Sequence, residues 1–297
     1  MKFLAMVIAL SAQQVLKRDN LLQRDQWLYD YAAFVARHVS APGVRVVLVL
    51  AAVPLLAAWL LSLLDHWFFG LAEMLAIAAM FLWSLGREDY HTALERYAAR
   101  APDAADAAEA VAVLWAPGLA LADSGAGDAA EPAAAPATEQ AQATEQAREA
   151  EQSQGTEEPL EERHAAALQR ISYAGFARWF APLFYFALGG PLPALVYRSI
   201  ALLAARAGDT RYERLLAWAD WIPARLLVLS FALTGDFLAV TQRGLLQHFA
   251  DSTPAPQLIA DAAESACGSN AARAVGDVLY RSAALWLVIL SGALILF

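Results

Sequence analysis

The chain has 297 residues, of which 59% are hydrophobic, and its mean hydropathy is +0.41. These values are higher than a soluble globular chain usually carries, so the composition argues against a soluble domain and favours an integral membrane protein. The formal net charge is −9, but the acidic residues cluster in one segment, so the charge gives no reason to expect a nucleic-acid partner.

The first hundred residues are predicted to form one membrane unit. The opening "MKFLAMVIALSAQQVL" predicts a short membrane helix, because its apolar core and cleavage pattern are poor for a signal peptide. Residues 17–45 mix basic and aromatic residues at helical spacing, which favours an amphipathic helix that lies at the interface or packs on the same protein. Apolar runs at 46–64 and 67–85, the second broken only by Glu73, predict a transmembrane hairpin.

The basic residues predict how this hairpin is oriented. The turn at 65–66 has no Lys or Arg, whereas the segments on either side of the hairpin carry several. By the positive-inside rule this turn faces the periplasm, so the protein is a multi-pass protein of the bacterial inner membrane. Residues 101–160 then lie in the cytoplasm. Their acidic, low-complexity sequence, with the near-repeat "ATEQAQATEQ", predicts a disordered linker or an acidic docking tail.

Residues 161–297 are predicted to form the membrane core, which contains an interrupted apolar run. The stretch "RWFAPLFYFALGGPLPALVYR" at 178–198 holds no charge between its terminal arginines, yet it contains helix breakers. They are Pro182, Gly189, Gly190, Pro191 and Pro193. A single crossing would place the following arginines on the periplasmic side, against the positive-inside rule. We therefore expect a re-entrant pair of helices of about eleven residues each, and a kinked spanning helix is the alternative.

A broken backbone at membrane depth must be covered by protein or line a cavity, so this stretch is expected to lie inside the bundle and to border a pocket. Further apolar segments are predicted at 226–242, with Asp236 inside it, and at 282–297. The predicted fold class is an all-α, polytopic membrane helical bundle with a re-entrant or broken helix.

Charged groups in or beside the apolar runs give the candidate binding site. We predict that Arg198, Tyr212, Asp220 and Arg225 form a cytoplasm-facing site for an anionic small molecule, such as a nucleotide or a cell-wall fragment. The alternative is that these residues form ion pairs that fix the bundle. Pro223 restricts the backbone between Asp220 and Arg225. The sequence has no phosphate-loop, zinc-protease or paired-cysteine motif, so neither a metal nor a cofactor nor a catalytic residue is predicted.

The segment "APLFYFALGG", followed by "VYR" and then by "RYERLLAWADWIPARLLVL", resembles the AmpE proteins. These form a branch of the CbiB/CobD cobalamin-biosynthesis superfamily. The resemblance covers residues 170–240 strongly and the remaining hydrophobic layout loosely. It implies an inner-membrane regulatory protein in β-lactamase induction and cell-wall (muropeptide) signalling, with a possible protein partner in the pathway of the amidase AmpD.

The CbiB branch resembles an enzyme family that forms an amide at the expense of ATP, but this chain departs from its acidic pattern. At the family's polar positions stand Tyr173, Ala174, Gly175, Phe176, Ala177 and Arg178, then Ala201, Ala204, Leu216 and Ala217. Such chemistry needs carboxylates to hold Mg²⁺. We therefore expect binding rather than catalysis, with a CbiB-like enzyme as the alternative and a small-molecule transporter as the third candidate.

Overall fold

A computed structural model gives the fold for most of the predicted membrane segments. It describes residues 2–15, 25–64, 70–85, 90, 94–95, 160–206, 209–235, 237–242, 253–267 and 271–296. All regular secondary structure within these ranges is helical, and no strand occurs among them, which confirms the all-α prediction. The predicted linker up to residue 159, the turn at 65–66 and Asp236 lie outside the described residues.

The first part of the chain contains α1 (Lys2–Val15), α2 (Gln26–His38), α3 (Pro42–Leu64) and α4 (Leu71–Ser84). These elements confirm the helices predicted for the N-terminus and for both apolar runs. Helix α1 packs on α4, where Ala5, Met6 and Ala9 join Met74 and Phe81 in a buried apolar cluster. The N-terminal helix is thus an integral part of the packed fold.

Helix α2 packs through one face and exposes the other. Leu28 and Val35 are buried in the main core, whereas Trp27 is 44% exposed and Phe34 is 57% exposed. The sequence left open whether this helix lies at an interface or packs on the same protein. The burial of Leu28 and Val35 shows that α2 packs on the core of the same protein. Its outer face carries the exposed aromatic side chains of Trp27 and Phe34.

Helix α3 is apolar along its length and mostly exposed. Only 17% of its most apolar stretch is buried within the fold. The exposed large side chains are Val44, Val47, Leu48, Leu55, Leu56, Trp59, Leu60 and Leu63. Soluble monomers rarely expose so long an apolar surface, and its length and composition suit an apolar environment or a partner outside the described fold.

The interrupted run forms a helical hairpin. Its elements are α5 (Leu160–Gly175), a π-helical turn (Phe176–Phe180), α6 (Ala181–Gly189) and α7 (Pro191–Arg206). Tyr185 on α6 and Tyr197 on α7 stack with their ring centroids 5.2 Å apart, whereas twelve residues along a straight helix would separate them by ~18 Å. The chain therefore doubles back at Gly190, which confirms the predicted break and rules out a single kinked helix.

Both arms of this hairpin are longer than the sequence predicted. Helix α7 has 16 residues, and α6 continues α5 through the π-helical turn, so the first arm is helical from Leu160 to Gly189. Pro182 lies in the first turn of α6 and Pro191 is the first residue of α7. Proline is tolerated at position 191 because the first backbone N–H groups of a helix have no intrahelical partner. Pro182 lies inside the continuous first arm, directly after the π-helical turn.

Helix α8 (Thr210–Thr234) continues without interruption past Pro223, so the predicted segment at 226–242 has the wrong bounds. Asp209 caps the start of α8, because its side chain accepts a hydrogen bond from the backbone N–H of Arg211 at 3.0 Å. The helix ends at Gly235, and a separate short helix, α9 (Phe237–Gln242), follows. Among the described helices, α3 and α8 are long and apolar enough to cross a membrane, by length and composition alone.

The chain ends in α10 (Ala255–Cys267) and α11 (Ala271–Leu296), the second of which begins eleven residues before the predicted segment at 282–297. Helix α10 packs against α5 and α8. Helix α11 is tied to α8 by two side-chain hydrogen bonds. Trp286 Nε1 donates to Ser230 Oγ at 2.8 Å, and the hydroxyls of Thr234 and Ser282 lie 3.2 Å apart.

Candidate functional site

A buried carboxylate, that of Asp220 on α8, lies against both arms of the hairpin. Its side chain is 2% exposed, and both of its oxygens accept hydrogen bonds from buried tyrosines. Tyr197 on α7 donates to Oδ1 at 2.9 Å, and Tyr173 on α5 donates to Oδ2. One carboxylate therefore joins three helices, and its acceptor oxygens are satisfied within the protein.

A third tyrosine contact compensates for Pro223. Proline has no N–H, so within a helix it leaves the carbonyl four residues earlier without its usual donor. That carbonyl belongs to Ala219, and the hydroxyl of Tyr185 donates to it at 2.8 Å. Tyr185 in turn stacks on Tyr197, with an angle of 21° between the rings. The Pro223 position in α8 is thus coupled directly to the hairpin.

These tyrosines form one wall of an apolar groove of about 470 Å³. The groove is lined by both arms of the hairpin and by α8. Its lining residues are Tyr185, Leu192, Pro193, Val196, Tyr197, Ile200 and Ala219. The hydroxyl groups of both tyrosines are already bonded to Ala219 and Asp220. The groove therefore presents ring faces and aliphatic side chains to whatever it holds.

The structure holds the predicted site residues in separate surroundings. Arg198 forms a salt bridge with Asp25, its Nη2 lying 3.2 Å from Oδ2. Arg225 stacks on Trp221, with Cζ 4.1 Å from the ring centroid, and Nη1 donates to the carbonyl oxygen of Trp221 at 3.0 Å. These contacts of the two arginines are with groups other than Asp220.

Tyr212 is 6% exposed, in the first turns of α8. Asp220 has tyrosine rather than arginine partners. The anion-binding role of Arg198, Tyr212, Asp220 and Arg225 stays a prediction.

Three tyrosines and Asp25 were missed by reasoning from the sequence. No local pattern around Tyr173 marks its hydroxyl as a hydrogen-bond donor to a distant helix. Tyr185 could have been sought from Pro223, since a proline within a helix requires a donor for the freed carbonyl. Asp25 lies 173 residues before Arg198, and no local pattern links residues so far apart.

We expect Arg198→Gln to lower the free energy of unfolding by about 1–3 kcal/mol, because the change removes a charge-assisted hydrogen bond from a buried guanidinium. The side chain of Arg198 is 5% exposed and that of Asp25 is 20% exposed, so water screens the pair only in part. Denaturant unfolding of the purified protein in mixed micelles would measure the change.

The matched control for this prediction is Arg37→Gln, in the exposed last turn of α2. Its expected effect is within about 0.5 kcal/mol. Combining Arg198→Gln with Asp25→Asn in a double-mutant cycle isolates the pairwise term. Additive losses in that cycle would show that the salt bridge contributes nothing of its own.

Other reactive groups in the described part of the chain are few. No group of three or more His, Cys, Asp or Glu side chains capable of holding a metal ion occurs there. The sole cysteine, Cys267 at the end of α10, is half-buried. Burial, with a smaller effect of Asp277, raises its pKa to about 11, so the nucleophilic thiolate is scarce at neutral pH.

The comparisons with known proteins add no assignment. Protein-family models, curated proteins and solved structures give no match to this chain. The function must therefore be argued from the site and from the sequence resemblance.

Proposed function

We propose that the protein is a multi-pass protein of the bacterial inner membrane that binds a ligand at the hairpin groove and acts as a regulatory accessory protein. The observation that carries this proposal is the exposed apolar surface of α3, of which only 17% is buried in its most apolar stretch. Lipid hydrocarbon is the environment that such a surface suits.

Helix α8 supports membrane insertion independently. Along its exposed side it carries Arg211 and Arg214 at the N-terminal end, then Trp218, and then aliphatic residues ending in Leu233. In a membrane, basic residues lie at the lipid headgroups, tryptophan at the interface and aliphatic side chains in the hydrocarbon. The exposed side of α8 follows this order. By the same rule, the N-terminal end of α8 faces the cytoplasm.

The regulatory role rests on the resemblance to AmpE proteins. The segments that carry the resemblance fall on the hairpin tip and on the part of α8 around Pro223. These are the parts that shape the groove and hold Asp220. We propose accordingly that the protein acts in β-lactamase induction and cell-wall signalling, with a partner in the AmpD pathway.

A transporter is the second candidate, and the hairpin is the observation that favours it. Transporters build their binding sites from interrupted helices whose broken backbone lines a cavity. Here the hairpin lines the groove with residues from both arms. Uptake of labelled muropeptides or amino acids into proteoliposomes, above the level of empty liposomes, would favour the transporter over the regulatory protein.

Two measurements test the proposed function. Alkaline carbonate extraction tests insertion, and we expect the full chain to remain in the membrane pellet. Deletion of the gene in a host with an inducible β-lactamase tests the role, and we expect β-lactamase activity after induction to change and to be restored by the wild-type chain.

The matched pair of variants for the induction assay is Val196→Phe in the groove and Val47→Phe on the exposed side of α3. We expect only Val47→Phe to restore induction. Release by carbonate would refute membrane insertion, and unchanged induction in the deletion strain would refute the regulatory role.

A further inference from the structure

The groove borders the exposed side of α8 at Ala219. Ala219 lines the groove, while its neighbour Trp218 is 80% exposed and Ile222, three residues further on, is 51% exposed. Residues three and four apart in a helix lie on the same side, so Ile222 and Ala219 share one edge of α8. The apolar lining of the groove is therefore continuous with the surface that faces lipid in the proposed membrane orientation.

Two exposed arginines lie on the same side of α8 as Trp218, toward the N-terminus of the helix. Arg214 precedes Ala219 by five residues and Arg211 precedes it by eight, which places them ~7.5 Å and ~12 Å along the axis and ~140° and ~80° around it from Ala219. A guanidinium binds a phosphate group by two parallel hydrogen bonds. An anionic phosphate at this level would be linked to an apolar chain that points deeper along α8.

The polar atoms of the groove restrict what it can bind. The hydroxyls of Tyr185 and Tyr197 are engaged by Ala219 and Asp220, and the Asp220 side chain is only 2% exposed. A sugar, peptide or nucleotide base inside the groove would therefore lose its hydrogen bonds to water without gaining replacements. A hydrocarbon chain has no such requirement.

We propose that the groove binds the acyl chain of a membrane phospholipid whose anionic phosphate headgroup is held by Arg211 and Arg214. This proposal rests on the membrane insertion proposed above and names the ligand class of the same groove. The occupant enters sideways from the leaflet that contacts the N-terminal end of α8. The lipid lies between the hairpin and α8, so its binding stabilises the packing of these elements.

The test uses the full chain, purified in a neutral detergent, and measures Tm during titration with dioleoyl-phosphatidylglycerol or dioleoyl-phosphatidylcholine. A ligand that binds only the folded state raises the stability in a saturable way. We expect a larger and saturable rise with the anionic lipid. We expect the double variant Arg211→Gln/Arg214→Gln to need about tenfold more of that lipid for half-saturation, the equivalent of ~1.4 kcal/mol.

Two further substitutions separate the chain site from the headgroup site. Val196→Phe narrows the groove between the two arms of the hairpin and α8, and it is expected to weaken strongly the saturable rise in Tm with the anionic lipid. Leu192→Trp, at a half-buried lining position, serves the same purpose if Val196→Phe does not fold. The controls are Val47→Phe on exposed α3 and Arg37→Gln on exposed α2, neither of which should change the titration.

Three results would overturn the proposal. Equal effects of both lipids that persist in Val196→Phe would mean that lipid only surrounds the protein. A full effect of inorganic phosphate alone would mean that no chain is bound. A lipid effect that vanishes as a dimer forms would identify a second copy of the chain as the occupant. The titration is done in detergent, so it tests lipid binding alone. Membrane insertion is tested separately by carbonate extraction, and either proposal can be refuted without the other.

Discussion

Replacement of Asp220 by alanine is expected to lower the free energy of unfolding by about 2–4 kcal/mol. The hydroxyls of Tyr173 and Tyr197 are both buried and both donate to this carboxylate. Without it, each buried hydroxyl loses this acceptor, and the loss of a partner by a buried donor costs ~1–3 kcal/mol. Denaturant unfolding in mixed micelles, followed by tryptophan fluorescence, would measure the loss.

Two controls give this prediction its specificity. Asp277→Ala removes an exposed carboxylate from α11 and should change the stability by no more than about 0.5 kcal/mol. Combining Asp220→Leu with Tyr173→Phe and Tyr197→Phe removes donors and acceptor together, and it should recover much of the stability that Asp220→Ala loses. If Asp220→Ala and Asp277→Ala were equally stable, the carboxylate would have no structural role.

The elements that the sequence predicted best are those determined by local chemistry. The apolar run at 46–64 became α3, because a continuous apolar stretch of this length is a helix signal that needs no tertiary information. The break at Gly190 also followed from local residue types, since glycine and proline fix backbone conformation directly. The positive-inside rule, applied to the arginines that follow this stretch, predicted that the chain turns back on itself, and the hairpin is consistent with that prediction.

The bounds of α8 were missed because hydropathy counts charges without knowing their partners. Asp220 and Arg225 interrupt the apolar pattern, so the sequence placed the segment after them, at 226–242. In the structure Asp220 accepts hydrogen bonds from two tyrosines and Arg225 stacks on Trp221. Because both charged side chains have partners, they can lie inside α8. The contacts of Asp220 and Arg198 could not be predicted for the same reason, since they join segments that are distant in sequence.

Gly190→Ala is the substitution that we expect to disturb the hairpin most, with a loss of about 1–3 kcal/mol in unfolding free energy. Gly190 has φ 84° and ψ −153°, a backbone region that is essentially open to glycine alone. An alanine must either accept that strain or change the turn. A changed turn would separate Tyr185 from Tyr197 and distort the groove. We therefore expect the rise in Tm with the anionic lipid to decrease together with the unfolding free energy.

Two other glycines test whether backbone conformation is the cause. Gly292 lies within α11 and a Cβ added there meets nothing within 4 Å, so Gly292→Ala should stabilise by about 0.5–1 kcal/mol through helix propensity. At Gly189, an added Cβ would lie 2.7 Å from Cγ of Pro193, so any loss in Gly189→Ala should be relieved by Pro193→Ala. The loss at Gly190 should persist in that background, because removing a side chain cannot relieve strain in the backbone. Equal relief at both positions would place the strain in side-chain contacts and would refute the assigned role of Gly190.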